Sequence, residues 1–129
     1  MQRSILITGC SSGIGLDCAM TLHAQGWRVF ASCRQQKDCD RLTQIGLDAP
    51  RLDHSDASSI SKTINYIAKQ TGGKLDAIFN NGAFAVPGAV EDLPTDALRS
   101  IFETNVFGYH EVIRPVSYTH LTLPTILLV

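Results

Sequence analysis

The sequence predicts an α/β fold in which a doubly wound parallel sheet is covered by helices on both faces, giving three layers. Short apolar segments alternate with segments of helical periodicity along the chain of 129 residues. A glycine-rich turn directly follows the first apolar segment. Parallel strands need crossover connections, which are usually helices, so the alternation calls for a parallel sheet between two helical layers.

Four strands are expected, each a short segment between helical or glycine-rich stretches. They are residues 4–8, 27–33, 51–52 and 75–79. The third is weak because Pro50, directly before it, cannot donate a backbone hydrogen bond to a neighbouring strand. Right-handed crossovers give the strand order 3-2-1-4, which is that of a truncated Rossmann-like sheet.

Apolar residues at helical spacing predict four helices. Ile14, Cys18 and Leu22 form the apolar stripe of the first helix, which follows the glycines and ends at Gly26. The others are expected around residues 40–45, 60–68 and 98–113. The last of these is long and amphipathic.

Composition and charge exclude several classes of protein. Hydrophobic residues make up 44% and charged residues 18% of the chain, and the formal net charge is -1, which is a globular balance. No basic face or polybasic block is present, so we expect neither nucleic acid nor a membrane as a partner. The four cysteines form no CxxC pair and have no histidine at metal spacing, which predicts reduced thiols, no metal site and a cytoplasmic location.

The glycine turn, Thr8 to Gly15, has the pattern GxxxGxG and is a candidate phosphate-binding site. A pyrophosphate needs backbone N–H groups aimed at it and no Cβ in its way. Gly9 is expected to permit the tight turn, Gly13 the close approach of the ligand, and Gly15 the packing of the helix on the strand. Ser11 and Ser12 can donate hydroxyls, Ile14 completes the turn, and the helix N-terminus adds partial positive charge.

The spacing TGxxxGIG resembles the short-chain dehydrogenase/reductase family, and three further motifs agree in order. Asp53 follows the third strand, Asn80-Asn81-Gly82-Ala83 follows the fourth where the family has NNAG, and Asn105 begins an N-x-x-G motif in the long helix. The resemblance covers residues 4–115. It implies hydride transfer between a nicotinamide dinucleotide and a carbonyl or secondary alcohol, with a small molecule as substrate.

The resemblance also implies roles for these residues. Asp53 would bind the adenine amino group, with His54 beside it contributing only its backbone. Asn81, Gly82 and Ala83 would line the adenine ribose. Asn105 would loosen the long helix locally and hold a water in a proton relay, as the catalytic-type residue of this chain. From position alone, Asn105 could equally be a core amide bonded to a neighbouring strand, because a buried amide must be satisfied.

Arg34, at the end of the second strand, favours NADP(H) as the cofactor. NAD-selective sites carry a carboxylate there, about 20 residues after the glycines, which binds the ribose 2′-hydroxyl. This chain has Cys33 and Arg34 instead, and an arginine attracts a 2′-phosphate. NAD(H) stays possible because Asp38 and Asp40 are near, and Arg34 could instead stack on the adenine or face solvent.

The catalytic pair of the family is absent from the sequence. Hydride transfer there uses a YxxxK motif and a preceding serine, but Tyr66, Tyr109 and Tyr118 are followed four residues later by glutamine, isoleucine and threonine. We therefore expect the cofactor-binding half of an oxidoreductase, inactive alone. The alternative is a non-catalytic dinucleotide-binding module, and Asn105 in its motif favours the enzyme.

The helical periodicity is expected to stop after Pro115. Residues 116–125, VSYTHLTLPT, resemble a translated sequencing adapter, so we expect an incomplete NAD(P)-binding domain over residues 1–115 and a non-native tail over 116–129. The alternative is a genuine tail whose residues 121–129 pack on the sheet. A sheet truncated after its fourth strand would be marginally stable. In a full-length protein, a homo-oligomer is possible.

Overall fold

A computed structural model describes residues 1–119 of the chain. The suggested packing of residues 121–129 on the sheet, and the second half of the adapter-like segment, lie outside the described residues. No helix within residues 1–119 is both long enough and apolar enough to cross a membrane.

The sheet has three parallel strands in the order β2-β1-β3. They are β1 (Ser4–Ile7), β2 (Arg28–Ala31) and β3 (Ala77–Phe79). In the register, Ile5 of the central strand β1 lies opposite Val29 of β2 and Ala77 of β3. The α/β architecture with a parallel sheet is therefore as predicted.

The predicted strand at residues 51–52 is not a regular strand. It is reduced to two isolated parallel bridges beside β2, which pair Phe30 with Asp48 and Cys33 with Arg51. Pro50 lies between the two bridging residues and has no N–H for the ladder, which explains the interruption. The bridges still lie on the outer side of β2, where the order 3-2-1-4 puts this segment.

Helices connect and cover the strands. They are α1 (Gly13–Ala24), α2 (Gln36–Gln44), α3 (Ala57–Thr71), α4 (Thr95–Phe102) and α5 (Gly108–Thr119). A short 3-10 turn, Val90–Asp92, precedes α4. The best defined boundaries are those of α3, where the Asp56 carboxylate accepts hydrogen bonds from two backbone N–H groups and Gly72 ends the helix in the left-handed conformation. The second helix begins at Gln36, earlier than expected.

Each face of the sheet has its own hydrophobic core. Ile5 and Ile7 of β1 pack with Leu42 of α2 on one face, whereas Leu6 packs with Ile64 of α3 and Val112 of α5 on the other. This division follows from the strand geometry, in which successive side chains point to opposite faces. The three layers predicted from the sequence are therefore present.

One apolar residue of the first predicted helical stripe is outside the core. Ile14 is 72% exposed, whereas Cys18 and Leu22 pack against the first core. The reason is position, because Ile14 lies in the first turn of α1, beyond the end of the sheet that the rest of the helix covers.

The long predicted helix is divided by a π-helical turn. Helix α4 is followed by five π-helical residues, Glu103–Phe107, and then by α5. Most of the apolar residues expected to face the core are exposed in the described part of the chain. These are Leu98, Phe102, Val106 and Ile113.

The expectation that helical structure stops after Pro115 is wrong. Helix α5 continues to Thr119 with Pro115 inside it, and Val116 is fully buried in the second core. Val112 and Val116 are one helical turn apart on the same face, so their common burial holds the helix beyond the proline. The hypothesis that residues 116–129 are non-native in origin stays a prediction.

Replacing Leu6 with alanine is expected to destabilise the fold by about 2–5 kcal/mol, because it empties a fully buried position in the second core. Urea unfolding followed by circular dichroism measures this loss. Leu98→Ala is the matched control, since Leu98 is exposed, and it should change stability by less than about 0.5 kcal/mol. Equal losses from the two substitutions would contradict the assignment of the core.

Candidate functional site

A cavity of about 490 Å³ lies at the carboxyl ends of the strands. In parallel α/β sheets, this edge is where ligands bind. The structure brings most of the predicted cofactor-binding residues together around it, from the glycine turn, the end of β2, the segment after Leu52 and the segment after β3. They are Gly9, Ser11, Ser12, Arg34, Asp53, His54, Asn81, Gly82 and Ala83. Gly13, Ile14, Gly15 and Asn105 lie beside the cavity without lining it.

The glycine turn has the geometry expected from its sequence. Gly9 and Gly13 have φ angles of 70° and 61°, which disfavour other residues. A Cβ on Gly15 would clash with the Gly9 carbonyl oxygen, so Gly15 does let α1 pack closely on the end of β1. A Cβ on Gly13 would meet no atom within 4 Å, which leaves the space above it open to a ligand.

Thr8 is a site residue that sequence reasoning missed. Its hydroxyl oxygen accepts hydrogen bonds from the backbone N–H of Asn81 at 3.0 Å and of Gly82 at 2.9 Å. The Asn81 side-chain amide in turn donates to the Gly9 carbonyl at 3.2 Å. The end of β1 is thereby tied to the segment after β3. Thr8 belongs to the glycine turn, but the residues next to it in sequence do not indicate this role.

Asp53 and Arg34 form the charged side of the cavity. The Asp53 carboxylate accepts hydrogen bonds from the backbone N–H of Ser55 at 2.9 Å and from its hydroxyl at 2.7 Å. Burial raises the pKa of Asp53, but these hydrogen bonds and the positive charges of Arg34 and Arg51 together hold it below its usual value. Asp53 is therefore an ionised acceptor at neutral pH. Arg34 is exposed and lines the same cavity.

His54 contributes to the site through the packing of its side chain as well as through its backbone. Its side chain is 7% exposed, and its ring centroid lies 5.2 Å from that of Tyr109. A Cβ on Gly82 would lie 2.8 Å from the His54 Cε1, and a Cβ on Gly108 would lie 2.5 Å from the His54 Cβ. The imidazole thus lies between Gly82 and the Tyr109 ring of α5, and Gly108 makes room for the Cβ and backbone of His54.

Burial also sets the charge of His54. Burial lowers the pKa of His54 below its usual value, and the Asn80 side chain and the charge of Asp53 oppose this only in part. Within residues 1–119, the His54 Nε2 and the Asn80 Oδ1 have no hydrogen-bond partner. Asn80 does not belong to the residues that line the cavity.

Asn105 pairs with the backbone of Phe84. Its Oδ1 accepts a hydrogen bond from the Phe84 N–H at 3.2 Å, and its Nδ2 donates to the Phe84 carbonyl at 2.8 Å. The side chain is half-buried and lies in the π-helical turn. Asn105 therefore fixes the segment after β3 to the divided helix. Its part in a proton relay stays a prediction.

Several lining residues carried no signal in the sequence. Phe84 extends the segment after β3, and Ser100, Glu103 and Thr104 come from α4 and the π-helical turn. The pairing of Asn105 with Phe84 holds this helical segment beside the cavity, and it is a tertiary contact that no local pattern encodes.

Comparison with known proteins agrees with this geometry. The short chain dehydrogenase family model matches residues 3–121. The chain belongs to the short-chain dehydrogenase family. An uncharacterised oxidoreductase of Escherichia coli, YbbO, is 36% identical over 112 residues, covering 87% of this chain and 42% of that protein. An NADPH-dependent 1-acyldihydroxyacetone phosphate reductase of Schizosaccharomyces pombe is 32% identical over 108 residues, covering 83% of this chain and 36% of the other.

Solved structures of the family have the same fold. An actinorhodin polyketide ketoreductase crystallised with NADPH aligns with a TM-score of 0.80 at 27% identity, covering 90% of this chain and 46% of that one. A short-chain dehydrogenase from Streptomyces avermitilis aligns with a TM-score of 0.80 at 29% identity, covering 88% and 42%. The chain thus spans less than half the length of these relatives, and the resemblance inferred from its motifs is confirmed.

Stability is expected to fall as the pH is lowered through the range in which His54 titrates. The folded-state pKa of His54 lies below its usual value of 6.5, so the unfolded chain takes up the proton first and gains stability as the pH falls through 6.5. Melting temperatures measured from about pH 8 to about pH 5 should drop less in His54→Gln than in the wild type. His23→Gln, at an exposed position, should leave the wild-type pH dependence intact.

Gly108→Ala is expected to destabilise the fold by about 1–3 kcal/mol through its clash with His54. Helix propensity alone would favour alanine by about 1 kcal/mol, so the sign of the effect tests the contact. Chemical unfolding gives the value, and Gly88→Ala is the control because its Cβ would meet only the flexible Leu93 side chain. A stabilised Gly108→Ala variant would show that His54 does not lie against α5.

Proposed function

We propose that the chain is the NADP(H)-binding half of an oxidoreductase that transfers a hydride between the cofactor and a carbonyl or secondary alcohol. The observation that carries the proposal is the meeting of the glycine turn, Arg34 and Asp53 around one cavity at the carboxyl ends of the strands. The names of the relatives agree, since one is an NADPH-dependent reductase and one ketoreductase structure was determined with NADPH.

The residues present fit such a dinucleotide. The open space above Gly13 and the N-terminus of α1 suit a pyrophosphate, because N–H groups and the helix dipole meet there. The ionised Asp53 can accept a hydrogen bond from the adenine amino group, and Asn81, Gly82 and Ala83 can line the ribose. The bound cofactor would supply the hydride, and the chain's own residues would hold and orient it.

The preference for NADP(H) rests on the charges at the end of β2. Cys33 stands where an NAD-selective site has its carboxylate, and it is 1% exposed, so it cannot reach a ribose hydroxyl. Asp38, the nearest acidic residue in sequence, forms an ion pair with Arg41 at 3.2 Å. Of the charged residues near the end of β2, Arg34 lines the cavity and Asp38 does not. A cation at this position attracts a 2′-phosphate.

Substrate binding and hydride transfer are proposed for a full-length protein that contains this chain. A small carbonyl or alcohol would be the partner there, Asn105 would serve the proton relay, and a homo-oligomer would be possible. A cytoplasmic location is part of the same proposal, and the four free cysteines agree with it. Because the sequence has no YxxxK motif, the chain alone is expected to bind the cofactor without turning it over.

A non-catalytic dinucleotide-binding module is the second candidate. The observation in its favour is that both the Oδ1 and the Nδ2 of Asn105 are hydrogen-bonded to the Phe84 backbone. This residue therefore has a structural role that needs no catalysis. A YxxxK motif with a preceding serine in the continuing gene would favour the oxidoreductase, and its absence there would favour the module.

Calorimetric titration of the 129-residue chain with NADPH and NADH tests the proposal. NADPH should bind more tightly, and Arg34→Gln should weaken NADPH roughly 10-fold or more while leaving NADH unchanged, because only NADPH has the 2′-phosphate. Arg114→Gln is the matched control, since Arg114 pairs with Glu111 and does not line the cavity. Tighter binding of NADH would contradict the cofactor preference, binding of neither would contradict the site, and oxidation of NADPH with a carbonyl substrate would contradict the expected inactivity.

A further inference from the structure

Arg41 reaches from α2 to the glycine turn. Its Nη2 donates a hydrogen bond to the Ser11 carbonyl oxygen at 2.6 Å and lies 3.2 Å from the Asp38 carboxylate. The guanidinium is therefore engaged on one side by the turn and on the other by its own helix. Neither the resemblance nor the cavity lining singles out this residue.

The bond to Ser11 determines the direction of the next N–H group. The peptide between Ser11 and Ser12 is trans, so its carbonyl and its N–H point in opposite directions. Because Arg41 holds the carbonyl towards α2, the Ser12 N–H is turned away from α2. Ser11 and Ser12 both line the cavity, and in the described part of the chain neither backbone N–H donates to a protein acceptor.

The turn needs such a tether because its own backbone is permissive. Gly9 and Gly13, on either side of the two serines, have positive φ angles and no side chains to restrict them. A rotated peptide would present the Ser11 carbonyl oxygen to a bound phosphate, and two negative groups would then repel each other. A single charge-assisted hydrogen bond is enough to favour the productive orientation.

We propose that Arg41 is a positioning residue that presets the glycine turn for a phosphate by holding the Ser11 carbonyl. This inference rests on the proposed function, since it assumes that the cavity takes a dinucleotide. The inference assigns different roles to two arginines. Arg34 would contact the 2′-phosphate, whereas Arg41 would act through the turn on the pyrophosphate that NADP⁺ and NAD⁺ share.

The test compares NADP⁺ and NAD⁺ binding to the 129-residue chain by calorimetry, because the two ligands differ only in the 2′-phosphate. Arg41→Gln should weaken both by a similar factor of about five to ten, in the range of one lost hydrogen bond from a charged donor. Arg34→Gln should weaken NADP⁺ alone. Arg41→Lys, which keeps a charged donor, should restore most of the affinity, and Asp38→Asn, which leaves the bond to Ser11 intact, should stay close to the wild type.

Backbone ¹⁵N NMR relaxation of the nucleotide-free chain gives a second readout. The N–H vectors of Ser11 and Ser12 should have lower order parameters in Arg41→Gln than in the wild type, with the rest of the fold unchanged. Loss of NADP⁺ binding alone in Arg41→Gln would overturn the inference, as would unchanged affinities or unchanged order parameters. If the wild type bound neither nucleotide, the proposed function would fail, and the relaxation data would still decide whether Arg41 orders the turn.

Discussion

The site depends on the two hydrogen bonds that the Thr8 hydroxyl accepts. Thr8 is 1% exposed, and its oxygen receives the N–H groups of Asn81 and Gly82 from the neighbouring segment. Each such bond contributes about 1 kcal/mol net, but leaving a buried N–H unpaired costs up to about 3 kcal/mol. The ends of β1 and β3 are therefore held in one position relative to each other, and the glycine turn, which begins at Thr8, is held with them.

The docking of the remaining parts follows from this anchor. Once the segment after β3 is fixed, Asn105 can pair with both backbone groups of Phe84 and bring the π-helical turn to the cavity. His54 then occupies the space left between Gly82 and α5. The walls of the cavity are thus joined by hydrogen bonds between two side chains, those of Thr8 and Asn105, and backbone groups of the segment after β3.

Much of this arrangement could be predicted because it is encoded locally. The roles of Gly9 and Gly15 follow from turn geometry, and the apolar runs of β1 and β2 identify the sheet centre. What could not be predicted depends on contacts distant in sequence. The pairing of Asn105 with Phe84 spans 21 residues, and the Thr8 bonds span more than 70. A tertiary contact also explains why helix α5 continues beyond Pro115. The burial of Val116 in the core stabilises the helix more than the proline destabilises it.

The charges around the cavity are also suited to a nucleotide. Asp53 stays ionised because Ser55 and two arginines stabilise its negative charge, so this side of the cavity offers a hydrogen-bond acceptor. Asp38 is the acidic residue nearest in sequence to the end of β2, and its carboxylate is engaged by Arg41, which also donates to the Ser11 carbonyl. The exposed pair itself adds little stability. Its consequence is for the charge of the site, because the Asp38 carboxylate is paired with Arg41 while Arg34 lines the cavity as an exposed cation.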